Sequence, residues 1–312
     1  MQENINLKGK DFLSLKDYSK GEINYLLSFA ANLKDKQKRG EKHNLLQGKS
    51  LGMIFEKPST RTRMSFEVGI YQLGGQALFL SSRDLQIGRG EPICDTARVF
   101  SRYVDGIMIR TFSHADVEEL AHYATIPVIN GLTDLLHPCQ VLADLLTIKE
   151  YKGKLEGQKL VYIGDGNNMA HSLMYGGAKM GMNVVIAAPE AYFPDEKITA
   201  EAKSIAAENG GTIELISNPK EAAEDADVLY TDVWASMGQE SEQEERMEKF
   251  LTYQVNNELM ACAKKDAIVL HCLPAHRGEE ITAEVLEKYQ NVIFDEAENR
   301  LHAQKAIMAA IM

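Results

Sequence analysis

The 312 residues include 45% hydrophobic and 25% charged side chains, with a formal net charge of -11. That mixture excludes an intrinsically disordered chain, and no run of about 18 apolar residues offers a membrane span. The acidic balance disfavours general nucleic-acid binding, and at roughly 150 residues per domain the length predicts two domains with sizeable cores.

The opening stretch, MQENINLKGKDFLS, lacks the charged-then-apolar order of a secretory signal, so a soluble cytosolic protein is expected. Cys94, Cys139, Cys262 and Cys272 are scattered without C-x-x-C spacing, which indicates neither a disulfide framework nor a zinc site. Ile23, Leu26, Leu27 and Ala30 follow helical spacing, and Ser19 with Glu22 has capping-box spacing, predicting a helix near 17–36. Short apolar runs then predict strands at 51–55, 76–80, 104–110, 126–129, 160–163, 183–188, 212–216, 227–231, 267–271 and 291–294. Amphipathic segments such as 60–73, with Phe66, Gly69, Ile70 and Leu73, and 138–150 lie between them. This alternation predicts an α/β fold with mostly parallel sheets. Ten strands are many for one sheet, and the polar stretch EYKGKLEGQKL places a domain boundary near residue 150. The charged run GQESEQEERMEK, 238–249, reads as an exposed loop with a short helix.

In EKPSTRTRM, 56–64, a strand leads through a short loop into a helix whose first N–H groups and macrodipole favour an anion. The dipole supplies about 0.3 to 1 kcal/mol, too little to hold a dianion, so side-chain charge is required. Arg61 and Arg63 add guanidinium donors while Ser59, Thr60 and Thr62 add hydroxyls; the bland alternative is a Ser cap followed by surface arginines. HNLLQGKS ends like a phosphate loop but has His43 at its first glycine position, and a strand follows it. GDGNNM has Met169 at the third glycine position of a dinucleotide fingerprint, leaving either a tight turn or a contact from Asn167 or Asn168.

LLHPCQ sets His137 and Gln140 three apart around Pro138, equipment for polarising a carbonyl and meeting an amide, or else for capping a helix. LHCLPAHRGEEI leaves a strand end with Cys272 as a possible nucleophile, or with backbone around Cys272 and Leu273 lining a site. TDVWASMGQE also leaves a strand end, where Asp232 suits a cationic amine or a turn cap. Each candidate follows a predicted strand's C-terminal end, the edge at which open α/β sheets bind ligands, so one cleft is expected.

FEKPSTRTRMSFE, HPCQVLADLLTI, GDGNNMAHSLM, DVWASMGQE, HCLPAHRGEEI and FDEAENRLHAQKAIM together resemble the aspartate/ornithine carbamoyltransferase family, in the same order over nearly the whole chain. Within it, the Ser-Met-Gly stretch is similar to members acting on ornithine. The resemblance implies two domains, each a mostly parallel sheet flanked by helices: 1–150 for carbamoyl phosphate, joined by a returning C-terminal helix, 298–312, and 151–297 for ornithine. It implies a cytoplasmic enzyme forming L-citrulline and phosphate from carbamoyl phosphate and the δ-amine of L-ornithine. No metal or organic cofactor is implied. The implied assembly is a homotrimer or a multiple of trimers. A carbamoyltransferase for another amine such as putrescine, or a non-catalytic phosphate-binding paralogue, are the alternatives.

By the same resemblance, Ser59, Thr60, Arg61 and Thr62 hold the phosphate together with Arg110. Arg110, His137 and Gln140 grip the carbamoyl group, assisted by Thr62, Cys272, Leu273 and Arg300. Thr62, Arg110 and His137 face the developing oxyanion, and Cys272 contributes contacts near the amine. Asn168, Asp232, Ser236 and Met237 bind ornithine. The loop SSRDLQIGRGEP resembles one that reaches a neighbouring subunit's site; Gln86 fits it, but Gly90 beside Arg89 stands where some relatives carry a lysine. The 238–249 segment is a candidate lid.

Overall fold

A computed structural model describes residues 5–235, 238 and 240–312. The chain divides into two compact units, Met1–Leu146 with Glu298–Met312, and Thr147–Ala297.

In the first unit, β1 (Ser50–Phe55), β2 (Gln76–Ser81), β3 (Gly106–Arg110) and β4 (Val128–Leu132) form a parallel sheet in the order β2-β1-β3-β4. Four helices accompany them: α1 (Lys20–Lys38), α2 (Thr60–Gln72), α3 (Ile93–Tyr103) and α4 (His114–Tyr123). The apolar runs of β1 and β3 are buried throughout apart from Ser50, as strands covered on both faces must be. Ile54, Ile107, Ile109, Val117 and Leu120 belong to one core cluster. Helix α1 starts as its sequence predicts: Ser19 Oγ accepts from Glu22 N at 3.2 Å and Glu22 Oε2 accepts from Ser19 N at 2.7 Å.

Helix α5 (Pro138–Lys152) carries the chain from the first unit into the second. There β5 (Lys159–Ile163), β6 (Asn183–Ala187), β7 (Thr212–Ile216), β8 (Val228–Thr231) and β9 (Ile268–His271) form a parallel sheet in the order β7-β6-β5-β8-β9. Its helices are α6 (Asn168–Lys179), α7 (Glu196–Asn209), α8 (Pro219–Ala223), α9 (Gln243–Phe250) and α10 (Asn257–Cys262). Leu229, Trp234, Phe250, Val269 and Ile293 share its core cluster.

The expected strand at 291–294 is instead part of α11 (Ala283–Ile311), a helix of 29 residues. Val285, Leu286, Ile293 and Glu296 are buried at helical spacing while Phe294 is exposed, so the short apolar run is one turn of a longer 3.6-residue pattern. From Glu298 onward this helix belongs to the first unit. There Gly69 of α2 admits a close approach: a Cβ on it would lie 3.0 Å from Met308 Cε and 3.3 Å from Lys305 Cγ.

Candidate active site

In each sheet the strand order reverses once, and the predicted residues gather at that reversal. In the first unit the chain leaves β1 for β2 on one side and runs through β3 and β4 on the other. Phe55 at the end of β1 is paired with Arg110 at the end of β3. The loop after β1 rests on this edge, since Glu56 N donates to Arg110 O at 2.9 Å, Thr111 Oγ1 donates to Glu56, and buried Lys57 pairs with Asp134. That fixes the start of α2, whose N-cap Ser59 accepts from Thr62 N at 3.2 Å.

Around this edge the cationic groups converge. Buried His137 precedes α5, and its pKa is held well below the ordinary value by burial and then by Arg300, Arg110 and Arg61. The ring is therefore a neutral hydrogen-bonding group among three guanidinium ions. From α11, buried Arg300 donates to Gln140 Oε1 at 2.5 Å and to Thr62 Oγ1 at 3.1 Å. Gln304, with its amide turned to satisfy both ends, accepts from Arg300 at 3.1 and 3.3 Å and donates to Ser65 Oγ at 2.5 Å. Gln140 Nε2 donates to Asp144 Oδ1 at 2.8 Å, so the amide orientation is set from both sides. Thr62, Arg110, His137, Gln140 and Arg300 are all buried, Arg61 and Ser59 are half-buried, and Thr60 is exposed.

Two predicted residues stand apart from this group. Arg63 donates to Glu67 Oε1 at 2.9 Å and lies 3.7 Å over the Phe79 ring, because two helical steps turn it to nearly the opposite side of α2 from Arg61. Gln86 is exposed in the loop after β2, at the start of a 3-10 turn, Ile87–Arg89.

In the second unit the reversal lies between β5 and β8, whose ends pair Ile163 with Thr231. After β5, Gly166 packs against backbone: a Cβ there would lie 2.3 Å from Pro194 N and 2.5 Å from Tyr192 O. This tight turn delivers Asn167 as the N-cap of α6, and half-buried Asn168 is the first residue of that helix. After β8, buried Asp232 accepts at Oδ1 from Val233 N at 2.8 Å and from Cys272 Sγ at 3.0 Å. Cys272 is thus a hydrogen-bond donor to a carboxylate in this arrangement. Leu273 follows it with φ of 55°, and its N–H donates to His271 Nδ1 at 2.9 Å. The opposite ring nitrogen of His271 meets Glu280 Oε1 at 3.0 Å, so the proton sits on Nε2 and the neutral imidazole ties the Leu273 backbone to a fully buried carboxylate. Ser236 and Met237 lie outside the described residues.

Among its described residues the charged run carries the expected short helix and is mostly exposed, with Arg246 as the buried exception. Buried Arg246 of α9 donates to Asp165 Oδ2 at 2.8 Å, Glu242 Oε2 at 2.9 Å and Trp234 O at 3.0 Å. Burial raises the Asp165 pKa, with Arg246 opposing that rise. The Glu242 to Arg246 spacing is a readable helical ion pair, but nothing in a run of acids and bases marks which arginine turns inward. Asp144 carries a clearer signal, as a lone acid four residues after Gln140 on an otherwise apolar helix face.

Comparison with known proteins decides what this pair of sites belongs to. Residues 10–150 match the model for the aspartate/ornithine carbamoyltransferase carbamoyl-P binding domain, and residues 156–311 match that family's Asp/Orn binding domain. The chain belongs to the aspartate/ornithine carbamoyltransferase family. Among its members, the ornithine carbamoyltransferase of Anoxybacillus flavithermus is 65% identical over 312 residues, covering 100% of this chain and 99% of that one. The ornithine carbamoyltransferase of Thermococcus kodakarensis is 59% identical, covering 99% of this chain and 98% of that one. The solved ornithine carbamoyltransferase of Pyrococcus furiosus superposes with a TM-score of 0.96 at 58% identity, over 99% of this chain and 98% of that chain. The family's two mostly parallel sheets and the C-terminal helix on the first of them are the fold described above.

Proposed function

We propose that the protein transfers the carbamoyl group of carbamoyl phosphate to the δ-amine of L-ornithine, giving L-citrulline and phosphate. The observation that carries the donor half is the convergence of Arg61, Arg110 and Arg300 on one neutral histidine, because a dianionic acyl phosphate matches that charge. In this reading Ser59, Thr60, Arg61 and Thr62 hold the phosphate at the opening of α2, with Arg110 shared between phosphate and carbamoyl oxygen. His137, Gln140 and Arg300 orient the carbamoyl group, with Cys272 and Leu273 supplying further contacts. Asp232 receives the α-ammonium group together with Ser236, Met237 adjoins the side chain, and Asn168 meets the carboxylate.

The neutral δ-amine attacks the carbamoyl carbon, and the new N–C bond forms as the carbonyl becomes an oxyanion. Thr62, Arg110 and His137 are donors for that charge, worth about 3 to 4 kcal/mol each where preorganised. Collapse breaks the bond to the phosphate oxygen, and phosphate leaves with the amine proton. A histidine kept neutral still carries one N–H, so it suits this role as a neutral donor to the carbonyl oxygen.

We also propose a homotrimer or a multiple of trimers in the cytoplasm. Met64, Val68 and Tyr71 form an exposed row on α2, next to Leu78 and Phe79 of edge strand β2, a face that a second copy of the chain would cover. Gln86 would then act from its loop on a neighbouring subunit. No helix among the described residues is long and apolar enough to cross a membrane.

The test is citrulline formation from carbamoyl phosphate with ornithine, putrescine, lysine and aspartate as acceptors. Ornithine is expected to give the highest kcat/KM; preference for putrescine would overturn the acceptor assignment, and turnover with none would leave the silent paralogue.

A further inference from the structure

We propose that Asn167, held by the Tyr162 hydroxyl, is a positioning residue that aims the Asp232 carboxylate at the ammonium group of the acceptor amino acid; this rests on the reaction just proposed. Asn167 Oδ1 accepts from Met169 N at 2.9 Å, Ala170 N at 3.4 Å and Tyr162 OH at 3.2 Å. Three donors on the oxygen leave one orientation for the amide, and its Nδ2 then donates to Asp232 Oδ2 at 3.4 Å. The other oxygen of Asp232 is held by Val233 N and Cys272 Sγ. A carboxylate has about four acceptor positions. Three are used here by the described residues, and the fourth, on Oδ2, is the one that Asn167 orients.

Charge selects the same atom. Asp165 and Asp232 are both buried, but Arg246 neutralises Asp165, whereas no cation among the described residues pairs with Asp232. Neutral donors alone stabilise Asp232, so an arriving ammonium group meets an anion whose countercharge it supplies. Tyr162 is fully buried, and burial with the neighbouring Asp232, Asp165 and Cys272 keeps its phenol protonated. It is therefore a donor throughout the working pH range.

The ordinary role of Asn167 is to cap α6, and serine or aspartate caps a helix about as well. Asn167→Ser and Asn167→Asp thus keep the cap and remove only the Nδ2 donor, the second also placing a like charge beside Asp232. Steady-state kinetics with both substrates and thermal melts are to be measured for these variants and for Tyr162→Phe. The ornithine KM is expected to rise about tenfold in Asn167→Ser, the worth of one hydrogen bond to a charged group, and further in Asn167→Asp. Tyr162→Phe should raise it by about threefold, and the carbamoyl phosphate KM should stay within about twofold in all three. Melting within a few degrees of the parent separates this from loss of fold, and Asn167→Ser decides should Asn167→Asp not fold. Ornithine KM values equal to the parent's in both Asn167 variants would make the residue a cap only and overturn the inference. A parent protein that makes no citrulline would overturn the functional reading itself, and the inference with it.

Discussion

Lys305→Met tests the support behind helix α2, which opens on the proposed phosphate contacts. Lys305 is fully buried in α11, where its Nζ donates to Gln72 Oε1 at 2.9 Å and to His43 Nε2 at 3.2 Å. The His43 Nδ1 faces Glu41 O at 2.8 Å and carries the ring proton, which leaves Nε2 as an acceptor. Burial lowers the Lys305 pKa from 10.5 to about 8. Below pH 8 the ammonium is charged in both states, and at about 1.4 kcal/mol per pH unit the fold carries a penalty on the order of 3 kcal/mol. Between about pH 8 and 10.5 the unfolded chain holds a proton that the fold has released, so the penalty fades and stability from this group rises with pH. Methionine removes the penalty and leaves His43 and Gln72 without their donor, at about 1 to 3 kcal/mol each. The two effects offset near neutrality, but only the first depends on pH. Denaturant unfolding of parent and variant at pH 7 and pH 10 should therefore show the parent gaining on Lys305→Met by about 2 to 3 kcal/mol. A difference constant across that range would mean Lys305 titrates as a free lysine, and the burial argument would be refuted.

Arg61→Gly should weaken carbamoyl phosphate binding by about 2 to 3 kcal/mol, or roughly 30- to 150-fold by calorimetry, whereas Arg63→Ala, already committed to Glu67 and Phe79, should change it less than about threefold. Arg300→Met deprives Gln140 and Thr62 of a shared donor and should lower kcat by about 100- to 1,000-fold, read as citrulline formed at saturating substrates. His137 is held neutral, so its ring carbon resonance should show no titration at the ordinary histidine value of about 6.5, and because the unfolded histidine binds the proton first, this group lowers stability as pH falls below that value. Arg246→Met leaves Asp165 buried without its cation and should destabilise the second unit by about 3 to 5 kcal/mol in denaturant melts.

The sequence makes strand ends legible because parallel strands buried on both faces are nearly continuous apolar runs, and the polar residues after each run mark the ligand edge. That is why STRTR, HPCQ and Asp232 stand out in the sequence, whereas Arg110 is singled out only by the family resemblance. Side-chain direction is less legible: Arg61 and Arg63 are equivalent in sequence, and only the turn of α2 sends one toward His137 and the other toward Glu67. Partners far along the chain are not legible at all. His271 meets Glu280 across a loop, and Arg246 reaches Asp165 from 81 residues away. The NVIF run in α11 failed as a strand because three apolar residues cannot distinguish a period of 2 from one of 3.6.

The charged groups at the two candidate sites are held largely by neutral hydrogen-bonding partners. In the first unit Arg300 donates to Gln140, Thr62 and Gln304, and burial, followed by the field of three guanidinium groups, holds the His137 pKa low. In the second unit Asp232 is engaged by neutral donors, Val233, Cys272 and Asn167, while Arg246 is bound to Asp165. Hydrogen bonds to neutral partners fix orientation and offset desolvation without cancelling charge. A salt bridge to Asp232 would fix its orientation equally well, but it would have to be broken for an ammonium group to bind. Holding this carboxylate, among the described residues, with an amide, a thiol and a backbone N–H fixes its direction and leaves its charge uncancelled.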